Sequence, residues 1–467
     1  MYHGGVSLWD VAIVGSGPTG IFAAYELVTR SDKLKIAILE RGRDLEKRMC
    51  PMALGGGCRK CKPCHMVSGY GGAGAFSDGK LNLSPDVGGR LLEYVGRKKL
   101  AELIRYVDSI YVRFGAPEEL YGTDVDKIER LKREALRENL RLLTFPVRHM
   151  GEKSKEVLAN LKKYLEENGV EFYFETDVSD IIVEGREVKG VISSEGEKFS
   201  SKYVVLAPGR SGASWLRKAA KRLGIEVYND TVDIGIRVEV PAEIMEPYTS
   251  ILYEPKFIYY TRSFDDKVRT FCVCPYGEVI TEVHNGIVTV NGQSRADNTT
   301  ENTNFAVLVS TRFTEPFRDP ISYALDIAKL ANNIAGNKPI IQRLGDLLRG
   351  RRSTHERIER SIVTRTLEDV TPGDLSYVLP YRYLRNIIEM LEQLNKVIPG
   401  VYSDHTLLYG VEIKLYSSSL KLKSTLETEV RNLYAGGDGA GVSRGLVQAS
   451  VSGVIIARSI LRREGLY

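Results

Sequence analysis

Four of the six cysteines crowd into one stretch as Cys50, Cys58, Cys61 and Cys64. Cys58-x2-Cys61-x2-Cys64, with Cys50 ahead of Pro51, offers the thiolates of a [4Fe–4S] cluster, three closely spaced and one remote beside proline. A zinc site more often takes two separated Cys-x2-Cys pairs, and thiols that are free or joined in a disulfide are the third reading. Spacing does not choose among them. Cys272 and Cys274 make a second pair in the strand-like TFCVCPYG, where residues two apart share a face. Such a pair can relay electrons by closing to a disulfide, or it can be small apolar packing. His149 in PVRHMG is a candidate acid–base group, with a packed core histidine as the alternative. Glu412 and Lys414 alternate with Val411 and Ile413. They are expected to leave the apolar face, either as an ion pair in a pocket or as a solvated pair. Arg349, Arg351, Arg352, Arg357 and Arg360 could clamp an anionic substrate or line a solvated helix.

These groups need a scaffold, and the first element is legible at once. Residues 11–14 are an apolar run, followed by Gly15, Gly17 and Gly20 in GSGPTG and then a helix-like stretch. The first glycine permits a tight turn, the second lets main chain approach a pyrophosphate, and the third lets helix pack on strand. Pro18 and Thr19 lie between them at the expected helix N-terminus, where N–H groups favour an anion. KIAILERG gives a second strand ending in Glu40, positioned to accept from a ribose, with Arg41 beside it. A further glycine run holds Gly69, Gly71, Gly72, Ala73, Gly74 and Gly79, with Ser77 and Lys80 adding polar and cationic groups. Such a run can lie flat against a cofactor.

The far end of the chain, NLYAGGDGAGVSRGLVQASVSG, places a short strand, Gly437, Asp438, Gly445 and Leu446 ahead of a long helix. It resembles the second flavin fingerprint of two-dinucleotide-fold flavoproteins. The resemblance implies that Asp438 holds the ribityl chain and that the helix N-terminus faces the flavin pyrimidine, where reduced flavin carries negative charge. YVVLAPGRSG resembles the Ala-Thr-Gly turn of the same class, with Ala207, Pro208 and Gly209 at that turn and Pro replacing Thr. Val178 is placed among the cofactor contacts as well. GYGGAGAFSDGKL, PVRHMG, YGVEIKLYS and GGDGAGVSRGLVQASVSG together resemble the uncharacterised FAD-dependent dehydrogenases, single-Rossmann flavoproteins related to glutathione reductase and p-hydroxybenzoate hydroxylase. The resemblance implies a fold and a flavin and supplies no substrate.

The expected fold is α/β: a Rossmann-like FAD-binding domain split in sequence, with an inserted α+β substrate domain and a helical insertion. Residues 1–228 are its first part, with the insertion at about 92–140, and 416–467 return to complete it. Residues 229–415 form the substrate domain, strand-rich first and helical over about 321–335 and 381–395. The chain has 467 residues, 43% hydrophobic and 27% charged, with a net charge of +5 from 65 basic and 60 acidic groups. That balance is ordinary for a globular protein and argues against a nucleic-acid or membrane partner. The start lacks the pattern of a signal peptide, so a cytoplasmic location is expected. Four glutamines beside abundant Lys, Arg and Glu suggest a thermophilic source. The expected activity is two-electron transfer through flavin N5 to or from a small molecule. The electrons would come from NAD(P)H, from the substrate, or from a carrier protein through the cysteines. The alternatives are a flavin monooxygenase and an RNA-binding or RNA-modifying flavoprotein.

Overall fold

The computed structural model describes residues 8–50, 59, 61–228, 231–284, 286–294, 299–313, 316–317, 319–415 and 419–467. They divide into two units: Met1–Glu119, Arg148–Asp230 and Tyr416–Tyr467 form one, Leu120–Val147 and Thr231–Leu415 the other.

The first unit is built on a parallel sheet in the order Val170–Phe174, Ile36–Glu40, Leu8–Val14 and Lys198–Leu206. Leu433–Ala435, from the far end of the chain, pairs in parallel with residues 204–206. The other end of Lys198–Leu206 pairs with Glu187–Ser193, part of an antiparallel meander with Val178–Glu184. Strands buried on both faces read as unbroken apolar runs, and Val11, Ala12, Ile13, Ile36, Ala37 and Ile38 are all fully buried. The chain leaves Leu8–Val14 toward one side and returns on the other. The carboxyl ends of neighbouring strands therefore open a crevice of the kind that holds ligands in doubly wound sheets.

Helix Pro18–Arg30 packs on helix Leu446–Arg463. A Cβ on Gly453 would overlap the Thr19 carbonyl oxygen, so only glycine allows this crossing. Helix Arg97–Arg113 joins them through Tyr111 and Ser450, whose hydroxyls lie 2.9 Å apart. The helices expected over 92–140 divide between the units: Arg97–Arg113 belongs to the first and Val125–Arg137 to the second. Both show helical periodicity, and periodicity does not say which core a helix faces.

In the second unit the sheet runs Thr371–Pro372, Ile340–Arg343, Leu407–Leu415, Val232–Pro241, Asn302–Thr311, Lys267–Cys274, Lys256–Tyr260 and Arg141–Leu143. Helices Pro320–Ala335 and Tyr381–Asn395 form where helical periodicity was read. Along Val232–Pro241, Val232, Ile234, Ile236, Val238 and Val240 enter one core, as a two-residue repeat requires. The opposite face carries Asp233, Arg237 and Glu239, and these too are buried. The sheet is thus covered on both sides, with a polar layer on one. Among the described residues no helix is long and apolar enough to cross a membrane.

Candidate functional site

The carboxyl edge of the parallel sheet gathers the first-unit residues. Gly15 N–H donates to Leu39 O, Ala207 N–H to Val14 O, and Gly436 N–H to Leu206 O, so three turns leave the sheet side by side. Their glycines divide by role. A Cβ on Gly15 would overlap Ala207 O, and one on Gly20 would overlap Gly15 O, so these two serve packing. Gly17 and Gly209 have no neighbour within 4 Å in the Cβ direction, which leaves two open cradles at the crevice. Gly17 is the N-cap of helix Pro18–Arg30 and Gly445 that of helix Leu446–Arg463, with no side-chain cap on either and no acid in either first turn. Two uncapped helix N-termini beside open backbone fit a diphosphate-linked dinucleotide with an electron-rich ring. The residues present therefore fit FAD.

Glu40 ends its strand as expected and is bound by its own loops. Its Oε2 accepts from Ser16 N–H at 3.0 Å and Ser16 Oγ at 2.9 Å, and its Oε1 from Gly42 N–H at 2.8 Å and Gly69 N–H at 2.9 Å. A carboxylate has about four acceptor sites. Through these bonds Glu40 ties three loops together. Thr19 Oγ1 donates to Ala449 O at 2.9 Å, and Arg41 donates to Ser68 Oγ, so both hold structure. Val178 is buried close after Thr176, whose N–H donates to Glu40 O. Asp438 lies 3.6 Å from Arg210 and accepts from Ser443 Oγ at 2.6 Å. Enclosure by protein raises its carboxyl above the usual range, against the pull of Arg210.

The glycine run docks on this edge. Gly71 N–H donates to Ser16 O, and a Cβ on Gly74 would come 2.7 Å from Leu446 Cδ2. Ala73 is exposed. Ser77 closes the turn, its Oγ donating to Gly74 O and accepting from Gly79 N–H. Past it, Lys80 Nζ lies 3.0 Å from Asp78 Oδ2, both largely buried. His149 joins them, since Met150 and Gly151 donate to Gly79 O and Asp78 O. Burial lowers the His149 pKa, Asp78 opposes that and Lys80 adds to it. His149, Asp78 and Lys80 thus lie together at the end of the run.

In the cysteine stretch, Cys58 lies outside the described residues. Cys50, Cys61 and Cys64 carry no disulfide, and among the described residues no group of three ligating side chains could hold a metal. The neighbourhood is nevertheless tied. His65 Nδ1 lies 2.9 Å from Met49 O, and the buried Arg48 guanidinium donates to the carbonyls of His65, Met66 and Tyr70. Arg48 leads into the glycine run, and no periodicity marked it.

In the second unit, Glu412 is fully buried, with Oε1 3.0 Å from Lys414 Nζ and Oε2 3.5 Å from Arg237 Nη1. The pair is neither solvated nor open. Burial, the largest single influence, opposes the charge on Lys414 and on Arg237, yet Glu412 together with Glu282 beside Lys414 and the cysteines beside Arg237 outweighs it, and both pKa values rise. Arg237 Nε donates to Asn304 Oδ1 at 2.8 Å, and its Nη2 to Cys272 O at 2.6 Å and Cys274 Sγ at 3.2 Å. A side chain on Gly292 would overlap this guanidinium. The centre of the layer, Arg237, escaped sequence reasoning; its only signal is a lone cation inside IGIRVEV. Part of the arginine-rich segment is paired with acids of its own unit. Arg343 and Arg351 lie 3.1 and 2.8 Å from the buried Asp346, Arg357 at 4.0 Å, and Arg349 lies 2.7 Å from Asp404. Arg352 and Arg360 are exposed.

Residues 232–415 match the family model of the FAD-dependent protein, C-terminal domain-like, and residues 138–241 that of pyridine nucleotide-disulphide oxidoreductase. An uncharacterized protein of Clostridium beijerinckii is 26% identical, over 97% of this chain and 81% of that one. Among solved structures, glycine oxidase from Geobacillus kaustophilus is 14% identical with a TM-score of 0.41, covering 98% of this chain and 95% of that one. L-Proline dehydrogenase from P. horikoshii is 11% identical with a TM-score of 0.41, covering 98% and 94%. A formate oxidase of Aspergillus oryzae is 11% identical with a TM-score of 0.45, covering 99% of each chain.

Proposed function

We propose that this chain, read as an FAD-dependent oxidoreductase, holds the dinucleotide along the carboxyl edge of its parallel sheet and exchanges two electrons with a small molecule. The observation that carries the placement is the pair of open cradles, Gly17 and Gly209, beside an uncapped helix N-terminus. FAD, when bound, supplies the two-electron acceptor or donor.

The chain's own groups do the rest. The Gly17 turn and the first turn of Pro18–Arg30 receive the diphosphate. The turn at Gly437, Asp438 and Gly445, with the N-terminus of Leu446–Arg463, receives the ribityl chain and the flavin pyrimidine. Glu40 holds Ser16, Gly42 and Gly69 in place and so shapes the loop before the cofactor arrives. His149 moves the substrate proton. Its depressed pKa keeps it neutral near pH 7, so it accepts a proton, while Asp78 and Lys80 fix its setting. The donor on this reading is NAD(P)H or the substrate itself, and the setting is the reducing cytoplasm.

The test is anaerobic mixing of the FAD-loaded enzyme with NADH, with NADPH, and with panels of small reduced metabolites, following flavin bleaching. At least one must bleach the flavin within seconds. In His149→Asn that substrate must lose its acid-limb pH dependence while the flavin stays bound. Flavin that no donor reduces would refute an enzymatic role.

A further inference from the structure

Cys272 and Cys274 sit at a break in the sheet register. Lys267–Cys274 pairs with Asn302–Thr311, and the register shifts between Phe271 and Cys274. Cys272 adopts φ +48°, a left-handed conformation that is unfavourable for a non-glycine residue. Polar contacts hold the bulge: Cys272 N–H donates to Glu254 Oε1 at 3.1 Å, and Cys272 O accepts from Arg237 Nη2. Bulges re-aim side chains, and here the two Sγ atoms come within 3.9 Å of each other. Simple apolar packing calls for neither the strained backbone nor a guanidinium 3.2 Å from Cys274 Sγ. The cations Arg237, Lys414 and Lys256 and the acids Glu412, Glu282 and Glu254 make up the charged surroundings. Arg237, in contact with Cys274 Sγ, favours the thiolate there, which is the attacking form in the closing step.

We propose that Cys272 and Cys274 are a redox-active pair that closes to an intrachain disulfide by exchange with a low-molecular-weight disulfide and reopens with its thiol. Cys272 is partly exposed and Cys274 fully buried, which sets the order of events. The Cys272 thiolate attacks an external disulfide RSSR, forming Cys272–S–SR and releasing RS⁻. The Cys274 thiolate then attacks Cys272 sulfur and releases the second RS⁻. The sulfurs must approach by about 2 Å to reach bonding distance. The two cysteine protons pass to the two RS⁻ groups, so two Cys–SH and RSSR become one Cys–S–S–Cys and two RSH. This site lies wholly in the second unit and does not depend on the placement of FAD.

The test uses the full chain, reduced, freed of reductant and incubated with oxidised glutathione, then alkylated and digested with trypsin. Peptide 270–295 contains only these two cysteines. It must emerge lighter by two hydrogens and unalkylated, and reduced dithiothreitol must restore two alkylation sites. In Cys274→Ser, glutathione must persist on Cys272. In Cys272→Ser, the buried Cys274 of the folded chain must resist both glutathione and alkylation, as read on peptide 270–295. Peptide 270–295 alkylated at both cysteines after oxidation, or glutathione remaining on Cys272 in the wild-type chain, would overturn the proposal. FAD content read on the same samples separates this result from the fate of the cofactor assignment.

Discussion

Replacing Gly17 by alanine separates a glycine kept for the cofactor from one kept for packing. Gly17 has φ −77° and ψ −177°, extended backbone open to any residue, and its Cβ direction meets no atom within 4 Å. The apoprotein therefore tolerates the methyl and gains about 0.4–1 kcal/mol from the restricted unfolded chain. The methyl projects into the space assigned to the diphosphate. Forcing a methyl into a filled contact costs about 1–3 kcal/mol, so FAD should bind roughly 5- to 150-fold more weakly at about 1.4 kcal/mol per decade. Gly20→Ala is the control. Its Cβ would overlap Gly15 O and come 3.1 Å from Ile13 Cγ2, and main chain cannot swing aside. That variant should lose about 1–3 kcal/mol of stability in the absence of FAD. Urea midpoints of the apoproteins and FAD titration by fluorescence quenching read the two effects apart. Gly17→Ala with wild-type FAD affinity would refute the cradle, and a harmless Gly20→Ala would refute the division of roles.

Glu40→Gln sets an amide NH2 against donors that a carboxylate now satisfies. With two buried donors stranded at about 1–3 kcal/mol each, the apoprotein should lose about 2–6 kcal/mol, and an unchanged urea midpoint would contradict the clamp. Glu427 accepts from Arg463, Lys423 and Asn432 N–H. Burial alone would raise its pKa, but these partners bring it down to about 2. A depressed acid stabilises the fold above its unfolded pKa, and that stability, about 3 kcal/mol, fades as pH falls from about 4.5 toward 2. Denaturation of Glu427→Gln across that window should show a flatter pH profile than wild type. His149 runs in the opposite sense to a paired histidine. Its folded pKa is depressed by burial, so the unfolded chain protonates first and stability falls as pH drops below about 6.5. Thermal melts of His149→Asn should lack that decline. Asp346→Asn should destabilise the second unit by about 3–5 kcal/mol, because Arg343 and Arg351 lose a buried charge partner; an unchanged urea midpoint would contradict that.

What the sequence made legible was local. The Gly15–Gly20 turn, the strand ending at Glu40 and the helix after Gly445 declare themselves because their residues are neighbours in the chain. Glu40's true partners could not be read this way, since Ser16, Gly42 and Gly69 converge on it from three loops. The same holds for Arg237, whose contacts at residues 272, 274, 304 and 412 come from three other strands. Alternation correctly sent Glu412 and Lys414 off the apolar face. It could not say that a second layer would bury that face too. Asp346, buried among the arginines, is invisible to a count of charges.

The most direct measurement of the central claim is the flavin content of the purified chain. Absorption spectra before and after reconstitution, with the released cofactor identified chromatographically, should show the flavin bands and FAD bound in a single stoichiometric site. A colourless chain that takes up no FAD on reconstitution would contradict the account.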